Sequence, residues 1–265
     1  KVFDDDPFTI TDPSSNSTGA FTYTSSDTDV ATISENVITI VGVGSSIITA
    51  DQATTTDFLS GSITSTFVVS KATPIITGFS VSAKTFLDAS FTIIDPSSNS
   101  TGLITYSSDD LSVATVDGNV ITIVGGGSSI IIAEQAGTTN YTSGTITASF
   151  VVNAGTPTIT NFSIPAKIFG NAPFTITAPT SNSAGVFTYT SAKLNVVTIV
   201  GNVITIVGAG SSVITASQAA TSNYLAGKIT ATIVVTLPEP TITDFSVPNK
   251  TFGNAPFSLI APTSN

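Results

Sequence analysis

The chain lacks cysteine, histidine, methionine, tryptophan and arginine, and its seven cations are all lysines. These absences exclude disulfides, thiolate or histidine metal sites, and nucleophilic catalysis by cysteine or by a serine–histidine pair. Charged residues make up 9% of the chain, against about 25% in an ordinary soluble domain. The net charge is −10, and no basic patch offsets it. We therefore predict no nucleic-acid partner, because phosphate neutralisation supplies most non-specific affinity for nucleic acids.

Long apolar runs are absent as well. The apolar segments, such as Val37–Val41, are far shorter than the roughly 18–20 residues of a membrane helix, so no membrane-spanning segment is predicted in these 265 residues. Solubility depends instead on hydroxyl groups, with 46 Thr and 36 Ser. The hydrophobic content of 41% with so few charges predicts packed cores rather than disorder.

An internal repeat of 83 residues organises the chain without insertion or deletion. Tyr23, Tyr106 and Tyr189 align at this offset, as do Phe8, Phe91, Phe174 and Phe257. The period exceeds the roughly 20–50 residues of solenoid and propeller repeats, so each unit should be a complete domain. The predicted domains are residues 1–73 (repeat 1, without its first strand), 74–156 (repeat 2), 157–239 (repeat 3) and 240–265 (the start of a fourth repeat). We expect the chain to be a section of a longer tandem array.

Every repeat has the pattern of β-structure. In repeat 2, short segments alternate apolar with hydroxyl residues, as in Val120–Ile123, and turn sequences such as Asp117–Gly118 separate them. The pattern predicts an all-β fold of tandem Ig-like antiparallel β-sandwiches. Short proline-containing linkers predict an extended, semi-rigid row. About seven strands are expected per repeat, here at Ile75–Val81, Ser90–Ile94, Leu103–Ser107, Val113–Val116, Asn119–Val124, Ser129–Ala133 and Thr145–Val152.

One segment of repeat 1 resembles the bacterial immunoglobulin-like domain of group 2, the type found in invasin- and intimin-like adhesins. The resemblance lies in Val30–Ile33, Asn36–Gly42 and Gly44–Ala50, and it returns in repeats 2 and 3. It implies a stalk or adhesion role in surface proteins of bacteria, and in phages and other viruses that carry such modules. It implies no catalytic residues. The family often has Trp where Tyr23, Tyr106 and Tyr189 stand, which leaves the subgroup open.

Carboxylates are the only groups that suggest a metal site. Asp4, Asp5, Asp6 and Asp12 could offer oxygen ligands to Ca²⁺. Asp6 and Asp12 are replaced by alanine in repeat 3, however, and Asp5 by Asn171, so a solvated acidic loop is the preferred interpretation. The same replacements argue against a carboxylate pair for glycoside hydrolysis. We predict that the chain is not an enzyme and has no obligatory cofactor.

A binding surface is best sought where the repeats differ. The loops containing Asp27, Asp29, Asp109, Asp110 and Lys193 vary at the ends of the predicted sandwiches, where Ig-like domains usually carry recognition. Neutral drift in an exposed loop explains the same variation. Glycosylation sequons stand at Asn16, Asn99, Asn140, Asn161 and Asn249.

The sequence thus predicts a non-enzymatic, extracellular stalk or filament that spaces a binding module of an adhesin-like protein at a cell or virion surface. The expected partners are neighbouring repeats of the chain, other copies that associate into a filament, and a surface glycan or protein receptor. Two alternatives stay open. One is a viral or phage fibre or decoration protein built of the same modules, and the other is a glycan- or protein-binding module that uses its sandwich-end loops.

Overall fold

The computed structural model describes residues 1–264. The chain divides into two compact units, one of Lys1–Asn153 and one that begins at Ala154. Strands and turns form both units, and residues 1–264 contain no helix, hence none that could cross a membrane. The all-β prediction is confirmed. The four predicted domain boundaries remain predictions, although the division at Ala154 falls inside the predicted linker between repeats 2 and 3.

Repeat 1 forms two antiparallel sheets of three strands, β2-β5-β6 and β1-β4-β3. Its core is small, with Ala31, Ile38 and Ile48 buried together against half-buried neighbours such as Phe67. The sheets alternate apolar and hydroxyl side chains, which suits one buried and one solvated face. The strands are β1 (Phe8–Thr9), β2 (Phe21–Ser25), β3 (Ala31–Ser34), β4 (Val37–Ile40), β5 (Gly44–Gln52) and β6 (Gly61–Val69).

Repeat 2 has the same sheets and an additional covering segment. A four-stranded sheet, β11-β14-β15-β8, faces a three-stranded sheet, β12-β13-β9. Seven buried residues, among them Ile121, Ile131 and Phe150, fill the space between them. The strands are β7 (Ile76–Thr77), β8 (Lys84–Thr85), β9 (Phe91–Thr92), β10 (Ser97–Ser98), β11 (Ile104–Ser108), β12 (Ala114–Asp117), β13 (Val120–Ile123), β14 (Gly127–Gln135) and β15 (Gly144–Asn153).

The first strand of repeat 2 differs from the predicted Ile75–Val81. Only Ile76 and Thr77 pair with a neighbour, the short strand β10. Gly78 then adopts a φ of 75°, a left-handed conformation that favours glycine and turns the chain away from this pairing. The chain rejoins a sheet at β8, which runs parallel to β15. Each of the seven predicted segments therefore contains a strand, but the first is shortened to two residues, and β8 and β10 are short strands outside the predicted segments.

Repeat 3 reproduces repeat 2, with sheets β17-β24-β23-β20 and β18-β22-β21 and the pair β16-β19. Its core contains eight buried residues, including Ile204, Ile214 and Ile233. The strands are β16 (Ile159–Thr160), β17 (Lys167–Ile168), β18 (Phe174–Thr175), β19 (Thr180–Ser181), β20 (Phe187–Ser191), β21 (Val197–Val200), β22 (Val203–Ile206), β23 (Gly210–Gln218) and β24 (Gly227–Thr236).

The segment from residue 237 to 264, here called the tail, begins the fourth repeat. Two short strands, β25 (Ile242–Thr243) and β26 (Thr263–Ser264), pair with each other. Every residue of the tail is exposed, including Phe245, Val247 and Ile260. The tail therefore carries apolar side chains without a core to bury them.

Candidate functional sites

The four aspartates of the calcium hypothesis face different partners. Asp4 accepts hydrogen bonds from the Tyr141 hydroxyl and, at 3.4 Å, from Asn99 Nδ2. Asp12 Oδ1 accepts the Tyr23 hydroxyl at 2.5 Å. Within residues 1–264, no three acidic side chains are grouped closely enough to hold a metal ion. Calcium binding remains a prediction, and the two carboxylates described here already serve protein donors.

Asp5 has a structural role that the comparison of the three repeat sequences did not suggest. Its Oδ2 accepts the backbone N–H of Val2 at 3.0 Å and lies 3.8 Å from Lys1 Nζ. The equivalent Asp88 accepts Thr85 N–H at 2.8 Å, and Asn171 does the same for Ile168 at 3.0 Å. Because an amide oxygen accepts this bond as well as a carboxylate does, the position tolerates either residue. Asp6 is exposed.

The recurrent tyrosines differ between repeats in one contact. The Tyr106 hydroxyl donates to Asp95 Oδ1 at 2.6 Å, as Tyr23 does to Asp12. The hydrogen bond to Asp12 is the main cause that raises the pKa of Tyr23 to about 12. Burial and the bond to Asp95 raise the pKa of Tyr106. In repeat 3 the aspartate is Ala178, and burial alone raises the pKa of Tyr189.

The loop carboxylates proposed for recognition are engaged in local turns. Asp27 Oδ1 accepts Asp29 N–H at 3.0 Å. Asp110 Oδ1 accepts both the N–H and the hydroxyl of Ser112, and these bonds hold the pKa of Asp110 below its usual value. Asp109 Oδ1 accepts the Ser129 hydroxyl at 2.8 Å and Ile130 N–H at 2.6 Å. Their use in recognition stays a prediction.

Lys193 occupies the position of Asp27 and Asp110 in repeat 3. Its backbone N–H donates to the Ser212 hydroxyl at 2.9 Å, as Asp27 N–H does to Ser46 at 3.0 Å. The backbone contact is therefore independent of the side chain. This explains why charge can reverse at this position while the loop keeps its conformation.

The sequon asparagines have different surroundings. Asn99 Oδ1 accepts Ile75 N–H at 2.8 Å, and Asn140 Oδ1 accepts Val43 N–H at 3.1 Å. Asn161 has a φ of 58° and donates from Nδ2 to Thr180 Oγ1 at 3.2 Å. Asn16 and Asn249 are exposed. Glycosylation at any of the five remains a prediction.

The feature that sequence reasoning missed is a glutamine at the same position of each repeat, half-buried as Gln52 in repeat 1 and buried as Gln135 and Gln218 in repeats 2 and 3. Gln135 Nε2 donates to the carbonyl oxygens of Ser100 and Gly102 at 2.9 and 3.0 Å, and its Oε1 accepts the Ser98 hydroxyl at 2.7 Å. Gln218 makes the equivalent three bonds in repeat 3. The recurrence of Gln at this offset could have revealed its role, because a buried amide must find hydrogen-bond partners for its donors and its acceptor.

A lysine at the start of each repeat covers a phenylalanine ring. Lys84 Nζ lies 4.8 Å from the centroid of Phe91, and Lys167 Nζ lies 4.7 Å from that of Phe174. The same pair occurs in repeat 1 and in the tail. Such cation–π contacts stabilise an exposed site by about 0.5–1 kcal/mol. They explain why the lysine and the phenylalanine recur together.

The junction between repeats 1 and 2, both within the first unit, is closely hydrogen bonded. Ala72 N–H donates to Asn140 O at 3.0 Å, and Thr142 N–H returns a bond to Ala72 O at 2.8 Å. The ring of Phe3 meets that of Tyr141 edge to face at 5.4 Å. Linker residue Ala72 is thus paired with a loop of repeat 2, which restricts motion at this junction.

No protein-family model matches the chain, and no curated protein matches it. Solved structures similar to it include Drosophila N-cadherin EC1–3, at 12% identity and a TM-score of 0.31, covering 89% of this chain and 95% of that one. The insect immune protein hemolin is similar at 14% identity and a TM-score of 0.36, covering 88% and 72%. Domains 3–5 of Drosophila OTK, described as extracellular, share 9% identity at a TM-score of 0.34, covering 81% and 84%.

These likenesses carry no argument about activity or partner at such identities and TM-scores. The assignment to antiparallel β-sandwiches depends on the sheets and cores of the chain itself. The predicted bacterial group 2 subtype remains a prediction.

Proposed function

We propose that the chain is a non-enzymatic structural array, a stalk or filament of an extracellular surface protein that spaces a binding module. The observation that supports it best is the recurrence of structural contacts at an offset of 83 residues. The buried glutamine and the Lys–Phe pair return in successive repeats, whereas the loop carboxylates do not. The residues that the repeats retain are those that stabilise each domain, and this is what a spacer requires.

Hydrogen bonding at the repeat 1–repeat 2 junction supports the mechanical part of the proposal. A spacer transmits length only if its domains do not fold back on one another. The paired linker at Ala72 and the Phe3–Tyr141 contact oppose such bending at this junction. The names of hemolin and OTK, which mention homophilic adhesion and extracellular domains, agree with a surface location.

The test is independent folding of one 83-residue block. Residues 74–156 expressed alone should give a β-type circular dichroism spectrum and a cooperative thermal transition, because the block contains its own sheets and core. A block that carries Ile131→Asp is the control and should not fold, because it buries an unpaired charge. An unfolded or helical wild-type block would contradict the proposal.

A further inference from the structure

The sheet of long strands in each repeat has one side turned to solvent, here called the outer face, and this face carries a single charge. In repeat 2 it consists of residues 105 and 107 of β11, the even-numbered residues 128–134 of β14 and the odd-numbered residues 145–151 of β15. Glu134 is its only charged side chain, and the others are Ile, Val, Thr or Ser. Such a face loses little by leaving water, because charged groups are the costliest to desolvate.

Apolar side chains occupy the same positions of the outer face in repeats 2 and 3. Ile130 is 45% exposed, and the equivalent Val213 is 42% exposed. Val151 and its equivalent Val234 are exposed as well. Ile130 pairs with Ser149, two residues from Val151, so the two apolar side chains are diagonal neighbours on adjacent strands. Both outer faces thus have an apolar patch among hydroxyl groups.

The sign of the single charge differs between the repeats. Asp51 in repeat 1 and Glu134 in repeat 2 stand at the same position of the middle strand. In repeat 3 that position is Ser217, and the charge of the outer face is Lys228, directly opposite Ser217 on β24. Neither Glu134 nor Lys228 forms an ion pair within residues 1–264. The outer face of repeat 3 is therefore complementary in charge to that of repeat 2.

We propose that the outer face of repeat 3 binds the outer face of repeat 2 in a second copy of the chain. The two sheets pack face to face about 10 Å apart, as stacked sheets do, with their strands running in the same direction. Turning one sheet over about its strand axis keeps the order of residues along each strand and reverses the order of the strands. Strand β23 then lies over β14, and β24 lies over β11.

This arrangement matches the apolar and the charged groups at the same time. Ile130 meets Val213, because the two stand at the same level of the middle strands. Lys228 reaches Glu134 from the neighbouring strand, about 4.8 Å to the side. With the strands antiparallel instead, Lys228 would lie over Val151, and the two charges would stand at opposite ends of the interface. The composition of the two faces therefore favours the parallel arrangement.

Repeat 2 is a better partner for repeat 3 than repeat 1 is, although both have an acidic outer face. Ile132 adds a third apolar side chain beside Ile130, where repeat 1 has Thr49. Three strands of nine residues cover roughly 30 Å by 14 Å, or about 400 Å² on each partner. A total buried area of about 800 Å² is below that of stable interfaces, so one pair of faces associates weakly.

The contact joins two unlike surfaces, so it is heterologous and extends from copy to copy unless a ring closes. The inference goes beyond the proposed function, because it concerns contacts between chains. Folding of the excised repeat 2 does not involve a partner on its outer face. Failure of one proposal is therefore distinguishable from failure of the other.

The first test is sedimentation equilibrium of the full 265-residue chain from about 10 µM to 1 mM, a range that covers weak association. The wild-type chain should associate in a concentration-dependent way. Glu134→Lys and Lys228→Glu should each weaken the association at least about tenfold, because each brings like charges together. The double variant Glu134→Lys/Lys228→Glu should restore the association, because it reverses the pair and keeps the net charge of −10.

Asp51→Lys is the matched control for Glu134→Lys. It makes the same change of charge at the same position of the repeat 1 outer face, and it should leave the association unchanged. Association that is more sensitive to Asp51→Lys than to Glu134→Lys overturns the assignment to repeat 2. Circular dichroism verifies that the variants are folded, which is expected because all three positions are exposed.

The second test concerns the apolar contact. Val213→Ser should weaken the association roughly threefold or more, because it removes apolar area from the interface. Val207→Ser is the control, because Val207 is 47% exposed in the same repeat but follows β22 in the other sheet, and it should have no effect. A chain that is monomeric throughout the concentration range, or a double charge variant that does not recover association, overturns the proposal.

Discussion

Repeats 1 and 2 share the order of their common strands, the glutamine contacts and the Lys–Phe pair, but within residues 1–264 a preceding segment covers one side of the core only in repeat 2. Phe150 is fully buried, whereas the equivalent Phe67 is half-buried. In repeat 2, the segment that contains Phe79 and Val81 packs against the core and completes it. The glutamine and Lys–Phe contacts are thus present in both repeats, whereas the core phenylalanine is fully buried only in repeat 2.

The largest expected difference between the two repeats concerns the phenylalanine of the core. Phe150→Ala should destabilise repeat 2 by about 3–5 kcal/mol, because it leaves a closed cavity. Phe67→Ala should cost repeat 1 only about 1–2 kcal/mol, because solvent already reaches that ring. Amide hydrogen exchange of β15 and β6 in the full chain measures each repeat separately. Equal losses would show that Phe67 is as well covered in solution as Phe150.

A glycine pair sharpens the same comparison. Gly144→Ala should destabilise repeat 2 by about 1–2 kcal/mol, because the new Cβ meets the rings and chains of Pro74 and Ile76 and forces them to move. Gly61→Ala should change the stability of repeat 1 by less than about 0.5 kcal/mol, because nothing lies near its Cβ. Thermal unfolding of both variants, monitored by hydrogen exchange, provides the measurement. A comparable loss at Gly61 would show that the space around its Cβ position is filled in solution.

The parts of the fold that could be predicted are those that a repeated or alternating pattern of residues marks in the sequence. The 83-residue period and the alternation of residues such as Val120–Ile123 predicted the sandwich and most of its strands. The shortening of the first strand and the short strand β8 that follows it were missed, because the backbone turn at Gly78 depends on which sheet the chain next joins. The role of Gln135 was missed although the residue recurs, because two of its three partners are backbone carbonyls, which the identity of a residue does not mark. Asp4 was interpreted as part of a solvated acidic loop with calcium as the alternative, but the folded chain brings it to Tyr141, 137 residues away.

The β-hairpin turn at residue 35 of repeat 1 and residue 118 of repeat 2 provides another comparison, with a smaller expected change in stability. Glu35 has a φ of 56° and Gly118 one of 57° at the same position. A left-handed conformation costs a non-glycine residue roughly 1–2 kcal/mol, so Glu35→Gly should stabilise repeat 1 by about 1 kcal/mol. Gly118→Glu should destabilise repeat 2 by a similar amount. Chemical denaturation reports both changes, and two shifts of the same sign would refute the assignment of strain.

The smallest expected effect is that of the tyrosine–aspartate pair. Tyr106→Phe removes the hydrogen bond to Asp95 and should cost repeat 2 roughly 0.5–1 kcal/mol at neutral pH. Tyr189→Phe in repeat 3 is the natural control, because Ala178 offers no acceptor, and it should cost less. The raised pKa of Tyr106 means that the folded state holds this proton more tightly than the unfolded state.

The raised pKa of Tyr106 in the folded state determines how the stability of the protein changes with pH. The contribution of Tyr106 to stability is fully present below the usual tyrosine pKa of about 10 and is lost as the pH rises above it. The same holds for Tyr23 between pH about 10 and its folded-state pKa of about 12. Hydrogen-exchange or denaturation measurements in alkaline buffer should therefore show the wild-type chain losing stability faster than Tyr106→Phe. Parallel curves for the two proteins would show that folding does not raise the pKa of Tyr106.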